Sequence, residues 1–258
     1  NPRPEDGADL RLTGELLDYW DRPYDGAWNL DLAVKNLGPT LRTCIKSTMG
    51  GENLGGTIAL RGPFVALPRV ELNLHDLDYD IPLSAKEEPV RLTLAEVHGG
   101  IDLVNDEGYL EKTKALVQGG KEPGEVMVSA TFGLKPLNAT ADIDITNPID
   151  VGRFLPPKVA TSAGRFLSGK LSVGGDVYDG FELKDFDLAL GRTPKERAIR
   201  IFNGRVFAKN EFDHIELQKL HFEAGRSRAV LDCAIDYIKD EFVYKNLAIE
   251  GDYPDLSV

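Results

Sequence analysis

Apolar and polar residues alternate along most of the chain, with the two-residue period of a β-strand. Two clear examples are residues 126–134 (VMVSATFGL) and 139–145 (ATADIDI), separated by the turn-like pair Lys135 and Pro136. A strand with this pattern buries one face and leaves the other in water. The pattern therefore predicts an all-β fold, an elongated sheet that is rich in antiparallel strands.

The alternation changes phase within one long row. Apolar residues fall at Leu72 and Leu74 and then resume at Leu77 and Tyr79. A single inserted residue near 75–76 would keep all four side chains on one face, as a β-bulge does. The sequence therefore predicts a bulge or tight bend at this point.

A glycine-led segment occurs more than once. Residues 56–62 (GTIALRG) and 169–175 (GKLSVGG) share the pattern Gly-x-apolar-x-apolar-x-Gly, and a weaker copy begins at Gly204. Each copy leads into a longer alternating strand, which predicts one hairpin unit used repeatedly. A last pair of rows spans residues 231–237 and 243–249, and Lys245 interrupts the otherwise apolar second row.

Helix signals are few. Residues 147–157 predict one short helical turn, with an Asn147 cap and a stop at the prolines 156–157, and residues 161–167 suggest a second. Glycine-rich connections are expected at 43–55 and 105–108. No clear domain boundary emerges, so residues 1–258 are interpreted as one continuous repetitive region, weakly divided into 1–130 and 131–258. The start without Met suggests an excerpt of a longer protein.

Charge, hydrophobicity and cysteine content limit the possible binding partners, membrane spans and disulfides. The formal net charge is -12 and the acidic residues are spread along the chain, which argues against nucleic acid as a partner. No run of about 18 apolar residues is present to span a membrane. Cys44 and Cys233 lie far apart, so both a long-range disulfide and two unpaired thiols stay open.

A search for catalytic motifs predicts no enzyme. Asp142, Asp144 and Thr146 match the loose pattern of an aspartyl phosphotransferase, but they occupy the polar positions of an alternating strand. The four histidines have no compact metal-ligand spacing. We therefore expect no catalytic residues, no metal and no cofactor.

One stretch resembles a known family. Residues 137–191 combine an alternating strand, the segment 147–157 and the glycine-led segment 164–175 (GRFLSGKLSVGG). This arrangement resembles the AsmA-like repeat region of TamB-type (translocation and assembly module) envelope proteins. Residues 201–256 are similar in rhythm, and residues 1–130 are similar only in pattern.

The resemblance implies a U-shaped β-sheet, the "β-taco" groove, with an apolar inner face. It implies a periplasmic protein of Gram-negative bacteria, with an inner-membrane anchor outside this segment. Members are implicated in moving phospholipid towards the outer membrane. The TamB branch also acts in outer-membrane protein assembly with a barrel partner, through regions that this segment does not contain.

The expected function is a non-enzymatic hydrophobic groove that binds acyl chains and conducts phospholipid across the periplasm. Aliphatic walls suit acyl chains because each buried methylene contributes about 0.8 kcal/mol without specific partners. The alternative is a compact β-sandwich or barrel module for adhesion or protein–protein interaction. The residues expected to line the groove are Leu72, Leu74, Val128, Phe132, Ile143, Leu171, Val173, Leu188, Leu190, Leu217, Phe222, Ile235 and Leu247.

Overall fold

A computed structural model of the chain is all-β apart from short helical segments. It describes residues 9–17, 26–44, 49–51, 53–63, 66, 68–81, 89–118, 120, 123–155, 157–162, 164–176, 178–209, 214–238 and 241–252. The strand pairs whose register is defined within these ranges are all antiparallel. The predicted all-β, antiparallel fold class is confirmed.

The chain divides into two compact units. The first contains residues 1–118 and 127–135, and the second contains residues 119–126 and 136–258. Strand β8, Gly124–Leu134, crosses the boundary between these ranges. Each unit is described separately below.

The first unit is an up-and-down sheet in which sequence neighbours pair. Its strand order is β1-β2-β4-β5-β6-β7, and the short β3 pairs with β5. The strands are β1 (Asp9–Leu17), β2 (Ala27–Lys35), β3 (Met49–Gly50), β4 (Gly55–Pro63), β5 (Arg69–Ile81), β6 (Val90–Asp102) and β7 (Glu107–Gln118).

The second unit repeats this arrangement. Its order is β9-β10-β11-β12-β14-β15-β16, and β13 pairs with both β11 and β14. The strands are β9 (Leu137–Asp150), β10 (Phe166–Asp176), β11 (Gly180–Gly191), β12 (Ile199–Phe202), β13 (Arg205–Ala208), β14 (His214–Ala224), β15 (Ser227–Ile238) and β16 (Glu241–Asp252).

The helices differ from the predicted ones. Helix α1, Leu37–Cys44, was not predicted. The short helical turn predicted within residues 147–157 is present, but its predicted Asn147 cap is wrong, because β9 continues to Asp150 through pairing with β10. A 3-10 helix, Gly152–Phe154, follows it, and α2, Pro157–Ser162, begins at a proline that was expected to stop a helix. Proline is well suited to this first position, since its missing N–H would have no partner there.

Most irregular positions in the second unit fall at one level, so they form a line across its strands from β10 to β16. A further register shift, between β9 and β10 at Leu167/Gly169, lies away from this line. The register shifts in β10 and β11, in β14, and in β15 and β16. Strands β12 and β13 together occupy one position between β11 and β14, interrupted at residues 203–204. We call this line the crease of the second unit; positive φ angles mark it at Asp185 (35°), Asn203 (54°), Lys219 (49°) and Asn246 (52°).

A corresponding crease crosses the first unit. Asp76 has a φ of 55°, and β5 and β6 keep the same register on both sides of it. Of the predicted bulge or tight bend near residues 75–76, the structure therefore has the bend. Strands β3 and β4 pair with β5 on opposite sides of Asp76. The burial pattern changes phase at residues 95–96 of β6 and 111–112 of β7. A bulge bends its strand and returns the following side chains to the original face, so both units keep one apolar face across the crease.

Candidate functional site

The strand register brings aliphatic side chains into continuous rows on one face of the second unit. Residues directly opposite each other in antiparallel strands point to the same side. On one side of the crease, a row links five neighbouring strands through Val173, Leu183, Val206, Leu217 and Cys233. On the other side of the crease, a second row links Leu188, Ile201, Phe222 and Ala229. We call this side the apolar face of the second unit.

All the lining residues predicted in this unit belong to the apolar face. The register and the phase of each strand assign to it Ile143, Leu171, Val173, Leu188, Leu190, Leu217, Phe222, Ile235 and Leu247. They are partly exposed, except that Leu247 on β16 is 58% exposed. The alternation therefore predicted correctly which face these side chains occupy. It did not predict which side chains on that face are the most buried.

The remaining predicted residues lie in the first unit. Leu72 and Leu74 are on β5, and Leu72 lies opposite Ile58 of β4. Val128 and Phe132 are on β8. The Phe132 ring lies over Gly108, where an added Cβ would come within 2.1 Å of the ring. This close approach fixes Phe132 on the side that Gly108 faces, and all four predicted side chains are partly exposed.

Burial of the apolar face is greatest along the crease. Phe186, Leu220 and Cys233 lie beside it and are 4%, 5% and 6% exposed. Phe181, farther along β11 on the same face, is 38% exposed. We therefore call Phe186, Leu220 and Cys233 the floor residues of the apolar face.

These floor residues were absent from the predicted lining set. Their signal in the sequence is the phase change that separates Leu183 from Phe186 and Leu217 from Leu220. The first unit has equivalent buried residues beside its crease, among them Leu94, Val97 and Ala115. Cys233 is a free, buried thiol, and the side chain of Cys44 lies outside the described residues.

The opposite, polar face of the second unit carries cross-strand ion pairs. Arg200 donates to both carboxylate oxygens of Asp187 at 2.7 and 2.8 Å, and its guanidinium lies 4.3 Å from the Phe202 ring centroid. The hydrogen bond to Asp187 raises the pKa of Arg200. The reciprocal hydrogen bond lowers the pKa of Asp187.

A second charged cluster joins β14, β15 and β16 on the polar face. His214 Nδ1 lies 2.5 Å from Asp236 and Nε2 lies 3.0 Å from Glu216, and Lys245 pairs with Asp236. Hydrogen bonding to Asp236, then to Glu216, raises the pKa of His214. The interpretation that Lys245 interrupts an apolar row is wrong: the bulge at Asn246 puts Lys245 on the polar face and Leu247 on the apolar one.

The residues of the phosphotransferase-like pattern also lie on the polar side of β9. Asp142 accepts a hydrogen bond from Ser172, Asp144 lies opposite Lys170, and Thr146 donates to the Glu125 side chain at 3.0 Å. Within the described ranges, no group of three or more His, Cys, Asp and Glu side chains could hold a metal ion.

No helix in the described part of the chain is both long and apolar enough to cross a membrane.

Comparison with known proteins assigns the chain to no family. No protein-family model matches the sequence, and no curated protein or solved structure matches it significantly.

Proposed function

We propose that the protein is a non-enzymatic acyl-chain carrier, whose creased apolar face holds the hydrocarbon part of a phospholipid. The observation that carries this proposal is the exposure gradient on the apolar face of the second unit. The floor residues Phe186, Leu220 and Cys233 are buried, whereas the leucines beside them at 183, 188 and 217 are partly exposed.

The dimensions of the apolar face suit this ligand. Strands β9 to β16 occupy seven positions across the second unit, which at about 4.8 Å per strand gives roughly 29 Å. The hydrocarbon core of a bilayer is about 30 Å thick and contains two acyl chains end to end. A single chain therefore fits along the crease with room to move.

The chemistry of the rows favours sliding over tight capture. The row residues Val173, Leu183, Val206 and Leu217 have no polar side-chain atoms. Each methylene that leaves water contributes about 0.8 kcal/mol wherever it lies along such a surface. A ligand held in this way has no strongly preferred position, as transport requires.

We propose the cellular setting that the family resemblance implies. In this setting the chain lies in the periplasm, an inner-membrane anchor lies outside this segment, and phospholipid passes between the two membranes. An outer-membrane barrel partner would bind through other regions. Release of the protein by osmotic shock, compared with carbonate-resistant membrane association of the longer protein, tests this location.

Site-specific cross-linking tests the binding proposal. A photoreactive amino acid is placed at Leu217 on the apolar face or at the adjacent Gln218, which faces the other side. Phospholipid should cross-link at position 217 and not at 218. A Leu188→Glu substitution should abolish the signal at 217 while the circular dichroism spectrum is unchanged. Equal cross-linking at 217 and 218 would contradict the proposal.

The β16 edge favours protein interaction as a second candidate function. No strand in the described part of the chain pairs with the outer edge of β16. On this strand Tyr244 is 64% and Ile249 is 57% exposed. An exposed edge of this kind is a template for an added strand. Cross-links from position 244 to protein, with no lipid cross-link at 217, would favour this function over lipid transport.

A further inference from the structure

A cleft of about 410 Å³ opens on the polar face of the second unit. It lies between β9, β10, β11 and the connection formed by residues 192–198. Five charged residues contribute to its lining: Lys170, Lys195, Arg197, Asp144 and Asp187. None of these side chains is used by the acyl-chain site, which lies on the other face.

The connection that carries two of the cations is held by its own hydrogen bonds. The Arg192 N–H donates to the Glu196 carboxylate at 3.1 Å, and the Glu196 N–H donates to the Thr193 carbonyl at 3.1 Å. The Ala198 N–H closes the connection onto Leu190 O at 2.9 Å. The Glu196 carboxylate therefore accepts a hydrogen bond from the backbone of the connection itself. Lys195 and Arg197, on either side of Glu196, line the cleft.

The cations of the cleft outnumber the carboxylates that could neutralise them. Asp187 is held by both hydrogen bonds from Arg200. Asp144 lies directly opposite Lys170 in the sheet register, which offsets its charge. In the described part of the chain, no ion pair within 4.0 Å involves Lys170, Lys195 or Arg197. The result is a local cationic excess in a chain whose net charge is -12.

We propose that this cleft binds the phosphate group of a phosphorylated small molecule or of a lipid headgroup. Arginine binds phosphate through its planar fork, and lysine supplies compact positive charge. The non-polar part of the ligand would lie against Pro148 and Pro194, which also line the cleft. The proposal is independent of acyl-chain binding, because it concerns the opposite face.

Isothermal titration calorimetry of the full chain tests the proposal. The soluble probes are sodium phosphate and glycerol 3-phosphate, at neutral pH and 150 mM NaCl. The membrane probes are phosphatidylcholine vesicles with and without phosphatidic acid. The test variant is Lys195→Gln with Arg197→Gln. The matched control is Lys112→Gln with Lys209→Gln, which removes the same charge from exposed positions outside the cleft.

We expect saturable binding of a phosphate-bearing probe that the test variant weakens about tenfold or more, as expected for the loss of charged hydrogen bonds. The control variant should bind within about twofold of the unmodified chain. Binding of glycerol 3-phosphate identifies a soluble ligand, and binding of only the phosphatidic acid vesicles identifies a headgroup. Absence of saturable binding to every probe, or equal weakening in both variants, would overturn the proposal. Neither result would affect cross-linking at position 217.

Discussion

Two leucines on one strand distinguish an open apolar face from a covered one. Leu217 and Leu220 lie on β14, on the same face and on either side of the bulge at Lys219. Leu220 is 5% exposed, whereas Leu217 is partly exposed. Replacing each with alanine removes the same atoms from differently covered positions.

The two substitutions should differ in cost. Leu→Ala at a buried position costs about 2–5 kcal/mol, because the lost transfer free energy adds to that of the cavity. We expect about 3 kcal/mol for Leu220→Ala. At Leu217 the space left opens to solvent, so only part of the transfer term is lost, and we expect about 1 kcal/mol. The exposed residue between them supplies the control Gln218→Ala, expected to change stability by less than about 0.5 kcal/mol.

Urea unfolding, followed by circular dichroism and by hydrogen exchange of the β15 amides, measures these costs. Hydrogen exchange assigns the loss to the second unit rather than to the whole chain. A loss near 3 kcal/mol for both leucines would mean that protein covers Leu217, as in a closed sandwich. That result would refute the open-face interpretation, as would a small loss at Leu220.

Two further predictions concern the crease and the charged cluster. Lys219 has a φ of 49°, so Lys219→Gly should keep stability within about 1 kcal/mol, whereas Lys219→Val should lower it by about 1–2 kcal/mol in urea unfolding; equal effects would contradict a strained bulge. The pKa of His214 is raised by hydrogen bonding, first to Asp236 and then to Glu216, so its stabilisation is complete below pH 6.5 and is lost as pH rises through the raised pKa. The pKa of Asp236 is lowered by Lys245 first and then by His214, so its own contribution is lost only in acid. The urea midpoint should therefore fall as pH rises from 6.5 through the raised pKa of His214, and this slope should disappear in His214→Gln.

The strands and their faces could be predicted because they depend on local alternation. Val173 and Leu188 are on the expected strands because a period of two fixes the side of each residue. The bend at Asp76 was predictable for the same reason: the phase of the apolar pattern changes there. Asp also adopts the left-handed region more readily than most residues.

The crease could not be predicted, because it depends on register between strands that are distant in sequence. Phe186 and Leu220 become floor residues only when the bulges of β11 and β14 fall at the same level. The Asn246 bulge offered a local signal, since Asn also tolerates a positive φ. The two-residue spacing of the apolar residues Val243, Leu247 and Ile249 masked this signal, so Lys245 was assigned to their row.

Helix α1 could not be predicted from the sequence for a different reason. An eight-residue helix is too short to be stable alone, so tertiary contacts must hold it. Leu37 N–H donates to Leu54 O at 3.0 Å, and an added Cβ on Gly38 would come within 1.8 Å of Gly51 O. These contacts bring the start of the helix against residues between β3 and β4, which no local pattern reveals.

Mass spectrometry of solvent extracts from the purified protein tests most directly whether the apolar face holds acyl chains. The unmodified chain should release phospholipid in a fixed molar ratio. A Leu188→Glu, Leu217→Glu double variant with an unchanged circular dichroism spectrum should release little. Lipid-free extracts from the unmodified chain, or the same lipid ratio from both proteins, would contradict the account.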